Sequence, residues 1–174
     1  LLAMQTGIRQ ADLPVYDRTL LMREMALFRD WYLERHLGIT LSPDQADWLT
    51  ALFEQLADAA LEQDRVFVHR DYHSRNLMVC PPDNPGIIDF QDAVIGPLTY
   101  DLVSLLRDCY IRWPARRVDE WALGYWEKAR AAGLTEVDEA GFLRWFDLMG
   151  VQRHLKATGI FARLHHRDGK PGYL

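Results

Sequence analysis

Between Asp17 and Gly38 the apolar residues Leu20, Leu21, Met25, Phe28, Tyr32, Leu33 and Leu37 recur at helical spacing. The pattern predicts one long amphipathic helix, with Asp17 as N-cap and the glycine closing its C-terminus. Ser42-Pro43-Asp44-Gln45 then combines an N-cap, a proline suited to a first turn and a glutamine placed for a capping box. It introduces a second helix through Trp48, Leu49, Leu52, Phe53 and Leu56. The texture changes at Val66-Phe67-Val68, a β-prone run, and again at Leu77 to Cys80 and Ile87-Ile88, which flank the turn-rich segment Pro81 to Gly86. These runs predict a small hairpin region. After Gly96-Pro97 the helical period returns in Leu102, Val103, Leu105, Leu106 and Cys109, then from Val118 to Ala132 ahead of Gly133, and again from Thr135 onward. The opening residues Leu1 to Gln5 read as the middle of a helix with no cap ahead of them, so the chain reads as a piece of a longer protein. The expected fold class is mainly α with short β-hairpins (α+β), and residues 1–174 form one helical domain.

Composition narrows the function. The 174 residues are 49% hydrophobic, enough for a substantial core. The balance of 20 Lys plus Arg against 25 Asp plus Glu, a formal charge of −5, is mild and of the wrong sign for a nucleic-acid footprint. No apolar run approaches the ~20 residues of a membrane span, and no basic segment followed by an apolar core marks a signal peptide. Cys80 and Cys109 have no paired spacing, which argues against a disulfide framework or a structural zinc site and points to a reducing, cytoplasmic setting. No nucleic-acid or membrane partner is expected.

The polar signal lies on the irregular part. Residues 69 to 76 read His-Arg-Asp-Tyr-His-Ser-Arg-Asn, and thirteen residues beyond Asn76 comes Asp89, within Ile-Ile-Asp-Phe. Phosphoryl transfer needs a hydroxyl held in line, magnesium against the phosphate charge and a carboxylate near the departing proton. Asp71 suits the last task. Asn76 and Asp89 are hard oxygen donors of the kind that hold Mg²⁺ together with phosphates and water. Any one of them alone reads as an ordinary turn residue; together, His-Arg-Asp, four intervening residues, Asn, a hairpin and then apolar-apolar-Asp set several independent requirements. His69 and His73 also stand at the i, i+4 spacing of a zinc-binding helix, but Arg70 occupies the position where such helices carry glutamate.

Through His69 to Asn76 and Ile87-Ile88-Asp89-Phe90, the chain resembles the aminoglycoside phosphotransferase and choline kinase-like branch of the protein-kinase-like fold. The resemblance implies the C-terminal lobe of that fold, with ATP and Mg²⁺ as cofactors. Asp71 would be the catalytic base and Asn76 and Asp89 the magnesium ligands. His69 would help shape the catalytic loop, and Asp101 would be the buried aspartate that braces it. Asp101 reads equally well as an N-cap for the helix from residue 102. The stretches from Leu20 to Gly38 and from Asp89 to Trp113 extend the likeness to bacterial kinases that act on the anomeric hydroxyl of N-acetylmuramate and N-acetylglucosamine in cell-wall recycling.

The family pattern is not complete. The chain has no glycine-rich loop and no strand-borne lysine paired to a helix glutamate, since Lys128, Lys156 and Lys170 fall in helical or C-terminal contexts. The N-terminal nucleotide-binding lobe is thus expected outside this chain, in cis, and the segment alone is expected to be inactive. Gln91 stands where protein kinases carry glycine after the Phe, which favours a small metabolite over a protein as acceptor. Tyr72, His73, Arg75 and Asp92 are candidate substrate contacts that could equally hold the loop together. Trp121, Tyr125 and Trp126, at helical spacing, read as core, and the basic run Arg163 to Arg167 reads as a helix C-terminus. The alternatives are an aminoglycoside, choline or homoserine kinase and a kinase-like binding module without turnover.

Overall fold

The computed structural model describes residues 1–8 and 13–174. Helix α1 covers Leu2–Gly7 and begins without a side-chain cap. Helix α2, Arg18–Leu27, starts where Asp17 accepts the Leu20 amide at 2.8 Å. The chain continues as a helix through Phe28–His36, but with π-type hydrogen bonding, and stops at Gly38 in a left-handed conformation (φ 66°). The predicted single helix is therefore two hydrogen-bonding regimes in one rod. The change falls where the long C-terminal helix crosses it: a Cβ on Gly159 would lie 2.3 Å from the Leu27 carbonyl carbon and 2.5 Å from the Phe28 nitrogen. Only a residue without a side chain allows two backbones that close.

Helix α3, Pro43–Leu61, has the predicted capping box in full, with the Gln45 amide 3.3 Å from Ser42 Oγ and the Ser42 amide 2.9 Å from Gln45 Oε1. Its apolar face buries Leu49, Phe53 and Leu56. Strand β1 spans Arg65–Val68, and β2 (Leu77–Met78) pairs antiparallel with β3 (Gly86–Ile87) as the expected hairpin. β1 does not join that hairpin. It pairs antiparallel with β4, Val94–Pro97, from Arg65 opposite Pro97 to Val68 opposite Val94. The four residues of β4 read in the sequence as a break before a helix. They form a strand because both edges are occupied: β1 covers one, and residues 14–16 cover the other through Ile95 N to Pro14 O and Tyr16 N to Ile95 O, each 2.8 Å.

Helix α4 is Tyr100–Leu106, α5 is Ala115–Ala131 and α6 is Glu139–Asp168, a 30-residue helix capped by Asp138. It begins four residues after Thr135, because the Asp138 side chain accepts the Gly141 amide at 2.8 Å and fixes the first turn there. Along α6, Phe142, Phe146 and Met149 enter one core with Leu21 and Met25 of α2, Leu49, Phe53 and Leu56 of α3, Leu102, Val103 and Leu106 of α4, and Val118 and Ala122 of α5. Tyr125 also enters the core, its hydroxyl donating to Gln5 Oε1 at 2.6 Å, whereas Trp121 is half-exposed beside Trp113. No described helix is long and apolar enough to cross a membrane. The β1–β4 ribbon lies against this bundle and directs the segment after Val68 to its surface.

Candidate active site

β1 is followed by a buried His69, and the next residue turns the chain: Arg70 is left-handed, with φ 74°. For an L-residue that conformation costs about 1–2 kcal/mol, and two interactions offset it. The amides of His69 and Arg70 both donate to the carboxyl group of Asp101, at 2.7 and 3.1 Å. The Arg70 guanidinium reaches Glu24 on α2 at 2.6 Å. Asp101 lies inside the first turn of α4, whose N-cap is Thr99. The N-cap alternative for Asp101 is thus not what the structure adopts.

Beyond Arg70 the loop closes on itself. The amide of His73 and the side-chain Nδ2 of Asn76 each donate to the Asp71 carbonyl at 3.0 Å, and the Asn76 amide donates to His73 O at 3.0 Å. The β2–β3 hairpin then returns the chain, and the Ile88 amide reaches Asn76 O at 3.2 Å. Asp89 follows, also left-handed at φ 72°. Its Oδ2 lies 3.4 Å from Asn76 Nδ2, and its Oδ1 accepts Gln91 Nε2 at 2.8 Å. One asparagine amide therefore touches both the backbone of Asp71 and the carboxylate of Asp89. Gln91, which differs from the protein-kinase pattern, orients Asp89 from the other side.

The electrostatics suit proton and cation chemistry. Asp71 makes no ion pair among the described residues. Burial lowers the pKa of His69 against the opposing pull of Asp71 and Asp89, and lowers that of His73 against Asp71 and Asp108. Burial thus favours the neutral form of both rings. Burial raises Asp101 to about 7, with the His69 and Arg70 amides and Arg153 acting in the opposite sense. Asn76 Oδ1 accepts no hydrogen bond among the described residues, so this carbonyl and the Asp89 carboxylate offer hard oxygen donors of the kind Mg²⁺ takes. The donor set fits such an ion.

Two hollows flank Asp71. One is lined by His73, Asp108, Tyr110, Arg153 and Phe161. The other, of about 450 Å³, has a mixed charged lining, with Arg23, Arg70, Lys156 and Arg163 facing Glu24, Asp71 and Asp92. His73 and Asp92 thus stand at the edges of these hollows. Tyr72 is buried and lines neither. Arg75 stacks over the Tyr110 ring, its guanidinium carbon 3.7 Å from the centroid. His69 and His73 flank a loop that leaves a strand, so the helical spacing of a zinc pair is not realised.

Several supporting residues were not singled out by sequence reasoning. Asp108 accepts the Ser74 amide at 2.9 Å and the Tyr110 amide at 2.9 Å, fixing the far side of the loop. Glu24 is buried between Arg70 and Lys156, whose Nζ lies 2.9 Å away, and also accepts the Tyr16 hydroxyl. Burial alone would raise the Glu24 pKa, but Lys156, Tyr16 and Arg70 outweigh it and hold the carboxyl below its usual value. The Lys156 ammonium and Arg153 guanidinium both donate to the Tyr100 hydroxyl, at 2.8 and 3.1 Å. A signal for two of these was present: Glu24 and Lys156 occupy core-facing positions of their helices, where a charge requires a partner.

The sequence matches the phosphotransferase enzyme family over residues 1–140. It is 51% identical to the N-acetylmuramate/N-acetylglucosamine kinase of Pseudomonas putida, across 100% of this chain and 51% of that protein. Against the protein of the same name from Pseudomonas aeruginosa it is 51% identical, across 100% of this chain and 52% of the relative. The one from Neisseria meningitidis is 49% identical, across 99% and 52%. The chain spans about half the length of these curated relatives.

Proposed function

The chain belongs to the phosphotransferase enzyme family, and we propose that it forms the catalytic-loop lobe of an ATP-dependent cytoplasmic kinase whose acceptor is the anomeric hydroxyl of N-acetylmuramate or N-acetylglucosamine. The observation that carries this reading is the Asn76 amide, which ties the Asp71 backbone to the Asp89 carboxylate. In this reading Asp71 orients the acceptor hydroxyl and takes its proton as the sugar oxygen bonds to the γ-phosphorus and the bond to the departing ADP breaks. Asn76 and Asp89 would hold Mg²⁺, which when bound supplies charge neutralisation at the phosphates. Asp101 and Asp108 hold the loop in place, and the buried His69 packs beneath it.

The choice of acceptor rests on the relatives' names, with two arginines of the charged hollow in support. N-acetylmuramate carries a carboxylate, and Arg23 and Arg163, neither of them in an ion pair among the described residues, line the hollow that Asp71 borders. In this reading a nucleotide-gripping lobe would be supplied in cis; the chain spans about half the length of the curated relatives, which supports the reading. The test is a screen of the full-length protein with ATP and Mg²⁺ against N-acetylmuramate, N-acetylglucosamine, an aminoglycoside, choline and homoserine. Phosphorylation of the two amino sugars at the anomeric carbon, lost in Asp71→Asn, is the expected result. Turnover of only one of the other acceptors would overturn the substrate assignment, and turnover of none would overturn the kinase reading.

A further inference from the structure

Far along the chain from the catalytic loop, three histidines from two helix ends converge. His36 closes the π-helical extension of α2, and His165 and His166 lie in the last turn of α6. One ring nitrogen from each falls within 4.8 Å of the other two. His36 Nδ1 and His166 Nε2 are 3.2 Å apart. On a tetrahedral ion with metal–nitrogen bonds of about 2.0–2.1 Å, two imidazole nitrogens stand about 3.3–3.4 Å apart. The His36–His166 pair therefore already has the spacing of two ligands on one ion, and the His165 ring lies close enough to join it by a small side-chain adjustment.

We propose that His36, His165 and His166 form a binding site for one borderline-soft divalent transition cation of the Zn²⁺ type, separate from the hard-cation chemistry of the catalytic loop. Three imidazoles select for such ions and against Mg²⁺, which takes oxygen donors. Two further features favour a cation here. Both helices end at this point, and the negative ends of their dipoles meet at the cluster. The His165 Nδ1 is buried with no hydrogen-bond partner among the described residues, a state that proteins seldom leave without a reason. His166 also lines a surface hollow with Asp30, Trp31, Arg35 and Arg167, so solvent reaches the cluster from that side.

An occupied site would join the end of α2 to the end of α6. These are the two helices that also share the buried Glu24–Lys156 pair, so the ion would act as a clasp on the scaffold behind the loop. Neither histidine-bearing turn supplies a catalytic-loop residue, so the proposal does not depend on the kinase assignment.

The experiment is a titration of the tag-free, full-length protein with ZnCl₂, CoCl₂ and MgCl₂, followed by calorimetry, by the visible absorption of bound Co²⁺ and by thermal unfolding. The expected result is one Zn²⁺ per cluster with micromolar or tighter affinity, an intense tetrahedral Co²⁺ spectrum and a raised unfolding midpoint. His36→Gln and His166→Gln should each weaken Zn²⁺ binding at least about tenfold, while His154→Gln, outside the cluster, leaves it unchanged. Because His36 is exposed, its substitution tests the site without touching the core. Millimolar Zn²⁺ binding, Zn²⁺ binding that survives both cluster variants, or equal competition by Mg²⁺ would each overturn the assignment.

Discussion

The carboxyl group of Asp101 accepts the backbone amide of His69 at 2.7 Å, across 32 residues of chain. With the neighbouring Arg70 amide at 3.1 Å, it makes the first turn of α4 the anchor for a loop that starts from a different strand. Both oxygens are used as acceptors by backbone groups that have no freedom to turn away. The identity of this side chain therefore matters more than its charge.

Asp101→Asn replaces one of those acceptors with a donor that faces an N–H. The variant should lose about 1–3 kcal/mol of stability, read from urea unfolding of the full-length protein. The sign of the pH dependence follows from the raised pKa. A carboxyl moved from 3.8 to about 7 by burial contributes stability that is fully present below pH ~4 and is lost as pH rises through about 7. His69 and His73, lowered by burial, act in the opposite direction, holding stability above 6.5 and losing it as pH falls. The histidine contribution is common to both proteins, so the native advantage over Asp101→Asn should shrink between pH 4 and 7. An advantage that stays level or grows with pH over that range would show that burial does not raise the Asp101 pKa.

Asp71→Asn should lower turnover by about 10²–10⁴ with a much smaller change in the Michaelis constant, because the group acts mainly in the transition state. Steady-state kinetics on the full-length enzyme decide the matter. Turnover near that of the native protein would remove Asp71 from its assigned role.

Asn76→Ala and Asp89→Ala should both raise the Mg²⁺ concentration needed for half-maximal activity, with the Asp89 change larger because it removes a charge. Gln91→Ala, which leaves both donors in place but frees one Asp89 oxygen, should give a smaller shift in the same direction. A magnesium dependence identical in all three variants would place the ion elsewhere.

Glu24→Gln leaves Arg70 and Lys156 as like charges around a neutral amide, with Lys156 almost wholly buried. Removing one member of a buried ion pair costs about 3–5 kcal/mol, and the loss should appear as a lower denaturation midpoint. Adding Lys156→Met to Glu24→Gln should recover part of the loss, since it removes the uncompensated buried ammonium. Purely additive effects would mean that the two side chains are not energetically coupled.

Gly159→Ala should destabilise the fold by about 1–3 kcal/mol, despite alanine's higher helix propensity, because the new methyl would meet the α2 backbone at 2.3 Å. Gly124→Ala on α5, where a Cβ meets nothing within 4 Å, should be neutral or stabilising by up to about 1 kcal/mol. Thermal unfolding of the pair separates packing from propensity.

The catalytic-loop pattern was legible because its geometry is short-range. From Asp71 to Asn76 the loop closes through bonds spanning at most five residues, and a two-stranded hairpin carries Asp89 back beside Asn76. The Ser42 capping box and the Asp17 cap were legible for the same reason. The π-helical course of residues 28–36 was not, because the apolar spacing of that segment fits an ordinary helix and the change falls where Gly159, far away in sequence, presses on Leu27 and Phe28.

By itself the sequence determined the helical segments, the hairpin and the order of the three oxygen-bearing side chains, since periodicity, capping and turn chemistry act between near neighbours. Tertiary structure alone decided that Asp101 serves the loop and is not the N-cap of its own helix, that Val94 to Pro97 form a strand, and that Glu24 joins Arg70 to Lys156. Each of these depends on a partner from another element, and only packing brings such partners within reach. The same holds for the three histidines: two helices of ordinary composition end side by side, and their last turns acquire a chemistry that neither has alone.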